Sequence, residues 1–268
     1  MPVTVDAQLQ ELPYDIASRV AYDVMHDVFA VHNEFGRFMD ENIYRDEIAQ
    51  RVSGVRTEVL IEVTFRDFRK PYFMDMLAQG SFVFELKTVE KLVHRHRSQL
   101  LNYLMLADLR RGKLVNLRSE LLEHEFVNTR LTHHDRTVFS VRDVDWREPE
   151  TDLANVKELM VEILRDWGAG LDLHLYEDAL THFLGGKERV MTEIDIVLGD
   201  RTVGRQKIRL SGPRTAFKIT ALGDGGMTRF EDHARRFLQH TRLESIHWIN
   251  VTRTYVTFRT LNKERTGR

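Results

Sequence analysis

Apolar residues at helical spacing open the chain. Between Tyr14 and about Phe35 they recur every four or so positions, at Ile16, Val20, Val24, Val28 and Val31. This spacing predicts a helix with one buried stripe, and Gly36 suits its C-terminal end. Residues spaced by four predict a second helix from about Phe38 to Val52.

Shorter apolar runs follow, and their aromatic and branched residues predict strands. We expect strands over 57–65, 72–77 and 81–89, a basic hairpin turn over 66–70 and a tight turn at Gln79-Gly80. A helix is predicted from about Arg95 to Leu109. Further strands are predicted over 112–117 and 126–131.

The predicted strand 81–89 contains two charges in an otherwise apolar run. Side chains alternate along a strand, so Glu85 and Lys87 point to one side. Asp75 is the only charge in the preceding strand, and the hairpin places it near Glu85. Buried charges cost several kcal/mol, roughly, unless each has a partner. A metal ion or polar site would compensate them, and so would a buried ion-pair network without chemistry.

Composition narrows the class of protein. Of 268 residues, 42% are hydrophobic and 30% charged, and the net charge is -2, so any nucleic-acid binding must rely on local basic patches. The chain has no cysteine, which excludes disulfides and thiolate chemistry and fits a reducing, cytoplasmic location. No signal peptide is recognisable and no apolar run approaches about 18 residues, so we expect no membrane segment.

The polar positions form an ordered set: Glu41 on a helix, Asp75 on a strand, Glu85-x-Lys87 on the next strand, then Gln99-x-x-x-Tyr103 on a helix. This combination resembles the PD-(D/E)XK nuclease superfamily in its RecB-like form, and more closely the small bacterial GxxExxY family. The resemblance covers about residues 14–131. Its matching segments are 36–44, 72–75, 84–87, 99–104 and 114–117, and Phe38 stands where the family's naming glycine would be.

The resemblance implies a Mg²⁺ or Mn²⁺ site. Its metal ligands would be Glu41, Asp75, Glu85 and the backbone carbonyl of Leu86, which are hard oxygen donors. Lys87 would be catalytic together with the three carboxylates, orienting a water or stabilising charge on the phosphate. Gln99, Tyr103 and Tyr44 would be supporting residues.

A basic cluster begins the third predicted helix. Lys91, Arg95 and Arg97 could contact nucleic-acid phosphates, helped by the exposed N–H groups of the helix start. A solvated entry loop explains the same charges.

The second half repeats the order of the first. An amphipathic helix with Leu153, Val156, Met160 and Ile163 precedes Gly168 and Tyr176, which are spaced like Gly36 and Tyr44. Strands are predicted over 189–198, 203–210, 215–220, 248–251 and 254–258, with a helix over 228–241. We therefore expect an α/β protein of two tandem restriction-endonuclease-like domains, each a small mixed sheet flanked by helices. Their ranges are 1–131 and 150–268, with a polar linker over 132–149.

The second copy lacks the acidic set. Leu173 stands in the place of Glu41, and Ile208 stands near that of Asp75. Lys218-Ile219-Thr220 replaces Glu85-Leu86-Lys87, and Arg236 and His240 fall near the places of Gln99 and Tyr103. We interpret this copy as degenerate, pairing with the first in a pseudo-dimer or aiding a homodimer. Its basic strand residues suit a solvated sheet face or nucleic-acid contacts: Arg201, Arg205, Lys207, Arg209, Arg214 and Lys218.

We expect the function of the protein to be determined by the residues of its first half. The leading hypothesis is a Mg²⁺-dependent nuclease that hydrolyses phosphodiester bonds of DNA or RNA. One alternative is a non-catalytic nucleic-acid-binding or assembly protein that keeps the nuclease fold, and another is a purely structural subunit.

Overall fold

The protein divides into two compact units, Met1–His133 and His134–Arg268. The computed structural model describes residues 2–148 and 155–264. Each unit contains a mixed sheet of six strands with helices packed on it. The predicted α/β class with two tandem sheet-and-helix domains is therefore confirmed.

The strands of the first unit lie side by side in chain order, with β4 and β5 parallel and every other neighbouring pair antiparallel. Helix α3 forms the crossover between the parallel strands. The elements are β1 (Val3–Val5), α1 (Tyr14–Phe35), α2 (Glu41–Arg51), β2 (Val55–Phe65), β3 (Phe68–Ala78), β4 (Phe82–Lys87), α3 (His94–Leu106), β5 (Arg111–Asn116) and β6 (Glu123–Asn128).

The core of the first unit fixes the direction of the β4 side chains. Phe82, Phe84 and Leu86 join the buried stripe of α1 in one apolar cluster. Because side chains alternate along a strand, Glu85 and Lys87 must project from the opposite face. The burial of three large side chains thus commits both charges to one side of the sheet.

Helix α3 lies close to that second face. Gly112 of β5 is paired with Val83, which alternation places on the same side as Glu85. A Cβ at Gly112 would lie 2.9 Å from Leu100 Cδ1 of α3. The missing side chain lets α3 pack tightly on the sheet beside the charged residues.

The short helix α4 (His133–Thr137) lies at the boundary between the units. The elements of the second unit are β7 (Ser140–Val144), α5 (Val156–Trp167), α6 (Leu173–Phe183), α7 (Lys187–Val190), β8 (Met191–Leu198), β9 (Arg201–Gly212), β10 (Thr215–Thr220), α8 (Asp224–Gln239), β11 (Ser245–Val251) and β12 (Tyr255–Asn262). Its sheet order is β8-β9-β10-β11-β12-β7. Strands β10 and β11 are parallel and joined through α8, as β4 and β5 are through α3. Elements α5 to β12 therefore follow the order of α1 to β6, with α7 added.

A buried tyrosine closes the same helix–helix turn in both units. The Tyr44 hydroxyl donates to Gly36 O at 2.6 Å and accepts from Met39 N at 3.2 Å. The Tyr176 hydroxyl donates to Gly168 O at 2.6 Å and accepts from Leu171 N at 3.2 Å. Both side chains are fully buried. The shared spacing of Gly and Tyr thus reflects one structural device used twice.

A buried asparagine is repeated in the same way. In the first unit Asn116 holds the backbone of Val89, two residues beyond β4, with contacts of 3.1 and 2.8 Å. In the second unit Asn250 holds Leu222, two residues beyond β10, at 2.8 and 2.9 Å. Each asparagine uses both its amide groups on one residue, which fixes where the chain leaves the parallel strand.

The predicted linker over 132–149 contains regular structure. Within it β7 joins the second sheet, where it runs parallel to β12. All five β7 residues are exposed, so this edge strand has no apolar pattern that would indicate it. The domain boundary near Glu150 and the predicted helix residue Leu153 lie outside the described residues.

Several predicted boundaries shift. The turn after β2 is Arg66-Asp67, with φ of 52° at Arg66, because β3 already begins at Phe68. Helix α3 ends at Leu106, before the positive φ of 52° at Asp108. Strand β6 starts at Glu123, and α7 precedes β8. Some of these differences arise because polar residues continue a strand or helix beyond its apolar pattern. Others arise because one residue with positive φ ends the element.

Replacing Tyr176 by Phe should destabilise the second unit by about 1–3 kcal/mol, because a buried carbonyl and N–H lose their partner. Trp146, Trp167 and Trp248 are the chain's three tryptophans, and all lie in this unit, so denaturant unfolding followed by tryptophan emission reports on it selectively. The control is Tyr255→Phe, which removes an exposed hydroxyl bonded to Asp224. Equal transition midpoints for the two variants would contradict the role given to Tyr176.

Candidate active site

Four charged side chains from α2, β3 and β4 meet in the first unit. The Lys87 Nζ lies 2.7 Å from Glu85 Oε1, 3.8 Å from Asp75 Oδ2 and 4.0 Å from Glu41 Oε1. The structure therefore brings together the four residues that the sequence predicts as catalytic. Their arrangement is three carboxylates around one ammonium group.

The backbone of Leu86 belongs to the same cluster. Pairing between β3 and β4 runs from Ala78–Phe82 to Met76–Phe84. Beyond it, the Leu86 N–H donates to Asp75 Oδ2 at 2.7 Å instead of to a strand carbonyl. The Leu86 carbonyl accepts from Lys87 Nζ at 2.6 Å. The carbonyl predicted as a metal ligand thus faces the same cation as the carboxylates.

Burial dominates the electrostatics of the cluster. Glu85 has no exposed surface, and its Oε2 has no hydrogen-bond partner among the described residues. Burial, reinforced by Asp75 and opposed by Lys87, raises the pKa of Glu85 to about 8. Burial likewise raises the pKa of Asp75 and that of Glu41. Burial alone would lower the pKa of Lys87, but Glu85 and Asp75 outweigh it, and that pKa is raised.

The donor set has the chemistry of a divalent-cation site. Carboxylate and carbonyl oxygens converge on one positive charge, and Glu85 Oε2 is an unused donor. No group of three Asp, Glu or His side chains in the described part of the chain stands ready-made around a metal position. The oxygens are spaced for the lysine ammonium at their centre. Mg²⁺ prefers oxygens at about 2.0–2.1 Å, so the ammonium must withdraw before such an ion binds.

The supporting residues divide into two roles. Gln99 Nε2 donates to the Tyr103 hydroxyl at 2.9 Å, across one turn of α3. Burial first, and the Glu85 charge second, raise the pKa of Tyr103 to about 12. The Tyr44 hydroxyl instead forms its hydrogen bonds within the turn before α2, with Gly36 O and Met39 N. Tyr44 therefore helps to position Glu41, the first residue of α2, rather than contacting the carboxylates.

The three residues of the predicted basic cluster differ in their contacts. Lys91, Arg95 and Arg97 are all exposed, but Arg97 contacts Glu125 Oε2 of β6 at 3.1 Å. Arg95 is four residues before Gln99 and therefore shares the helix face of Gln99 and Tyr103. Of the three residues, Arg95 is the one that this spacing places on the same helix face as Gln99 and Tyr103.

Sequence reasoning missed two charged residues beside the site. Arg45 lies one helical turn after Glu41 and forms an ion pair with Glu58 of β2. Glu58 has a φ of 49°, between the strand pairs Thr57–Met76 and Val59–Met74 that flank Asp75. The i, i+4 spacing from Glu41 could have indicated Arg45, but the backbone of Glu58 leaves no sequence signal.

Residues 18–129 match the family model of the PD-(D/E)XK nuclease superfamily. This range contains Glu41, Asp75, Glu85, Lys87, Gln99 and Tyr103. Nucleases of this superfamily typically use divalent metals and act on nucleic acid. The match indicates a nuclease-like domain in the first unit.

Comparison with curated proteins and comparison with solved structures give no match. None of the helices in the described ranges combines the length and apolar character needed to cross a membrane.

The corresponding place in the second unit has the opposite charge pattern. Glu177 of α6, which the sequence analysis missed, is buried and lies 3.3 Å from Lys218 Nζ and 3.0 Å from Arg209 Nη1. It follows Tyr176 as Arg45 follows Tyr44, which is the signal that could have indicated it. Thr220, in the place of Lys87, donates its hydroxyl to Asn250 at 2.7 Å.

Glu85 should make the metal-free first unit less stable as pH rises. Its folded-state pKa of about 8 lies above the unfolded value near 4.5, so its contribution is complete below about 4.5 and is lost as pH rises to about 8. Glu85→Gln should therefore raise the free energy of unfolding at pH 8.5, by an amount on the order of a few kcal/mol.

Urea unfolding in EDTA, followed by circular dichroism between pH 5 and 8.5, measures this effect. Glu62→Gln on β2 serves as the matched carboxylate control. A wild-type and a Glu85→Gln protein with parallel pH profiles would contradict the raised pKa.

Proposed function

We propose that the first unit is a metal-dependent nuclease that hydrolyses phosphodiester bonds of nucleic acid, most simply DNA. The observation that carries the proposal is the convergence of Glu41, Asp75, Glu85 and the Leu86 carbonyl on the Lys87 ammonium, at 2.6–4.0 Å. Three carboxylates held together repel each other unless a cation lies among them. Here a lysine supplies that charge, and the match of residues 18–129 supports the function.

In this proposal Glu41, Asp75, Glu85 and the Leu86 carbonyl would hold Mg²⁺ or Mn²⁺. A bound divalent ion supplies polarisation of the phosphoryl oxygen and a lower pKa for water. An ion held by these oxygens would favour the ionised form of Glu85. Lys87, now paired with Glu85, would then face the reacting groups.

The chain's own groups then align the reaction. A water oxygen forms a bond to phosphorus, one P–O ester bond breaks, and an alcohol and a phosphate monoester result. Lys87 orients the water or stabilises the charge that develops on the phosphate. The Tyr103 oxygen accepts from Gln99, so its own proton is directed elsewhere and can be donated to a phosphate oxygen. Arg95, on the same face of α3, adds a positive charge for the backbone.

We also propose that the second unit is a degenerate copy, and that both units descend from one GxxExxY-type domain. The repeated element order, the Gly–Tyr turn and the Asn clamp support this. Leu173 and Lys218, in the places of Glu41 and Glu85, support the loss of its metal site. The pairing of the copies, within one chain or between two chains, stays a prediction. The cytoplasmic location also stays a prediction.

One observation favours a non-catalytic nucleic-acid-binding protein as the second candidate. Lys87 already fills the centre of the acidic cluster and satisfies Glu85 Oε1 without a metal. Such a protein would bind nucleic acid equally well after Glu85→Gln, and its affinity would fall steeply with salt.

Glu85→Gln and Lys87→Ala should each lower DNA cleavage at least about 100-fold, because one removes a metal donor and the other the cation beside the phosphate. Cleavage of single- and double-stranded DNA and RNA is measured with Mg²⁺ and with Mn²⁺. The control is Lys113→Ala, which removes another buried lysine of this unit, one packed 4.3 Å from the Phe126 ring.

Failure of the wild-type protein to cut any of these substrates would rule out the catalytic proposal. Cleavage by Glu85→Gln at the Lys113→Ala rate would rule out the assigned site. Salt-dependent binding without cleavage would support the second candidate.

A further inference from the structure

A cavity of about 310 Å³ lies in the second unit at the face that corresponds to the active site of the first. Its walls come from α6, β9, β10 and α8, the counterparts of α2, β3, β4 and α3. The second unit therefore keeps a recess at the place where the first unit has Glu41, Asp75 and Glu85. The volume is near the lower end of small-molecule sites, which span about 300–1,000 Å³.

Aromatic side chains of α8 form one part of the wall. Phe230 and Phe237 lie seven residues apart on α8 and share a face with Ala234. The Phe230 ring is 4.6 Å from the buried Trp248 ring, at an interplanar angle of 33°. This stacking holds Phe230 in place and leaves an apolar, planar surface at the cavity.

Basic side chains form another part. Lys207, Arg209, Lys218 and His233 line the cavity, with Glu177 as the single carboxylate among the lining residues. Arg209 Nε is buried and has no hydrogen-bond partner among the described residues. The Lys218 side chain is 54% exposed, so its ammonium can turn from Glu177 to a ligand. The first unit gathers carboxylates at this place, whereas the second gathers cations, which attract an anion and repel a metal ion.

We propose that this cavity binds one nucleotide, with its base against the Phe230 and Phe237 rings and its phosphate at Arg209 and Lys218. Aromatic surfaces beside positive charges are the combination that holds unpaired nucleotides. The cavity's size suits a single base with its phosphate. The aromatic rings and cations would suit any planar anion. The choice of a nucleotide as the ligand rests on the proposed function. Such a site gives the degenerate copy a binding role of its own.

Tryptophan emission can report this binding, because Trp248 contacts Phe230 and every tryptophan lies in the second unit. Full-length Glu85→Gln protein, chosen to prevent cleavage, is titrated with dAMP, with a short single-stranded oligodeoxynucleotide and with inorganic phosphate. Adding Lys218→Gln or Arg209→Gln should raise the Kd at least tenfold. The control Arg201→Gln, on β9 outside the cavity, should change it less than twofold.

A further variant guards against misfolding of Arg209→Gln, which leaves Glu177 with fewer partners. His233→Glu places a negative charge in the cavity from an exposed helix position, and it should also raise the Kd at least tenfold. Saturable dAMP binding supports a mononucleotide site. Binding of the oligonucleotide alone supports a strand site with the same chemistry.

Three results would overturn the inference: no response to either ligand, unchanged affinity in Lys218→Gln and His233→Glu, or phosphate binding as tightly as dAMP. Wild-type cleavage is measured separately. Intact cleavage without this binding removes only the nucleotide site, and intact binding without cleavage removes only the proposed nuclease.

Discussion

The acidic cluster of the first unit depends on one energetically unfavourable feature, the burial of the Glu85 carboxylate. Its side chain has no exposed surface, and one of its oxygens lacks a hydrogen-bond partner among the described residues. The ammonium of Lys87, at 2.7 Å, offsets part of the cost. A buried ion pair is weak support for stability, because apolar residues would pack as well or better. Locally unfavourable arrangements of this kind concentrate at functional sites, which agrees with the proposed role of the cluster.

The fold holds this arrangement in place through apolar packing. Phe82, Phe84 and Leu86 bind β4 to α1, so alternation sends Glu85 and Lys87 to the face where α3 lies. The hairpin brings Asp75 to the Leu86 N–H, and the Tyr44 turn sets the start of α2, where Glu41 lies. In the second unit the same framework surrounds Glu177, Arg209 and Lys218. One scaffold thus carries two electrostatic patterns of opposite sign.

Much of this could be predicted from sequence, because the decisive signals are local. Period-two alternation around Glu85 and the i, i+4 pair Gln99–Tyr103 specify which side chains share a face. Edge strand β7 could not be predicted, since an exposed strand has no apolar pattern. Spacing could have indicated Arg45 and Glu177, but their ion-pair partners Glu58, Arg209 and Lys218 lie on other elements and are set by packing. The central position of Lys87 among the carboxylates could not be predicted, because sequence patterns carry no information on distances between side chains of different elements.

The most direct test of the site is a crystal of the protein soaked in Mn²⁺, with anomalous diffraction measured at the manganese edge. We expect an anomalous peak within about 2.0–2.4 Å of Asp75 and Glu85 oxygens, with the Leu86 carbonyl facing it and Lys87 Nζ moved out of contact with Glu85. No peak at saturating Mn²⁺, with Lys87 still bound to Glu85, would contradict the central claim that these carboxylates form a metal site.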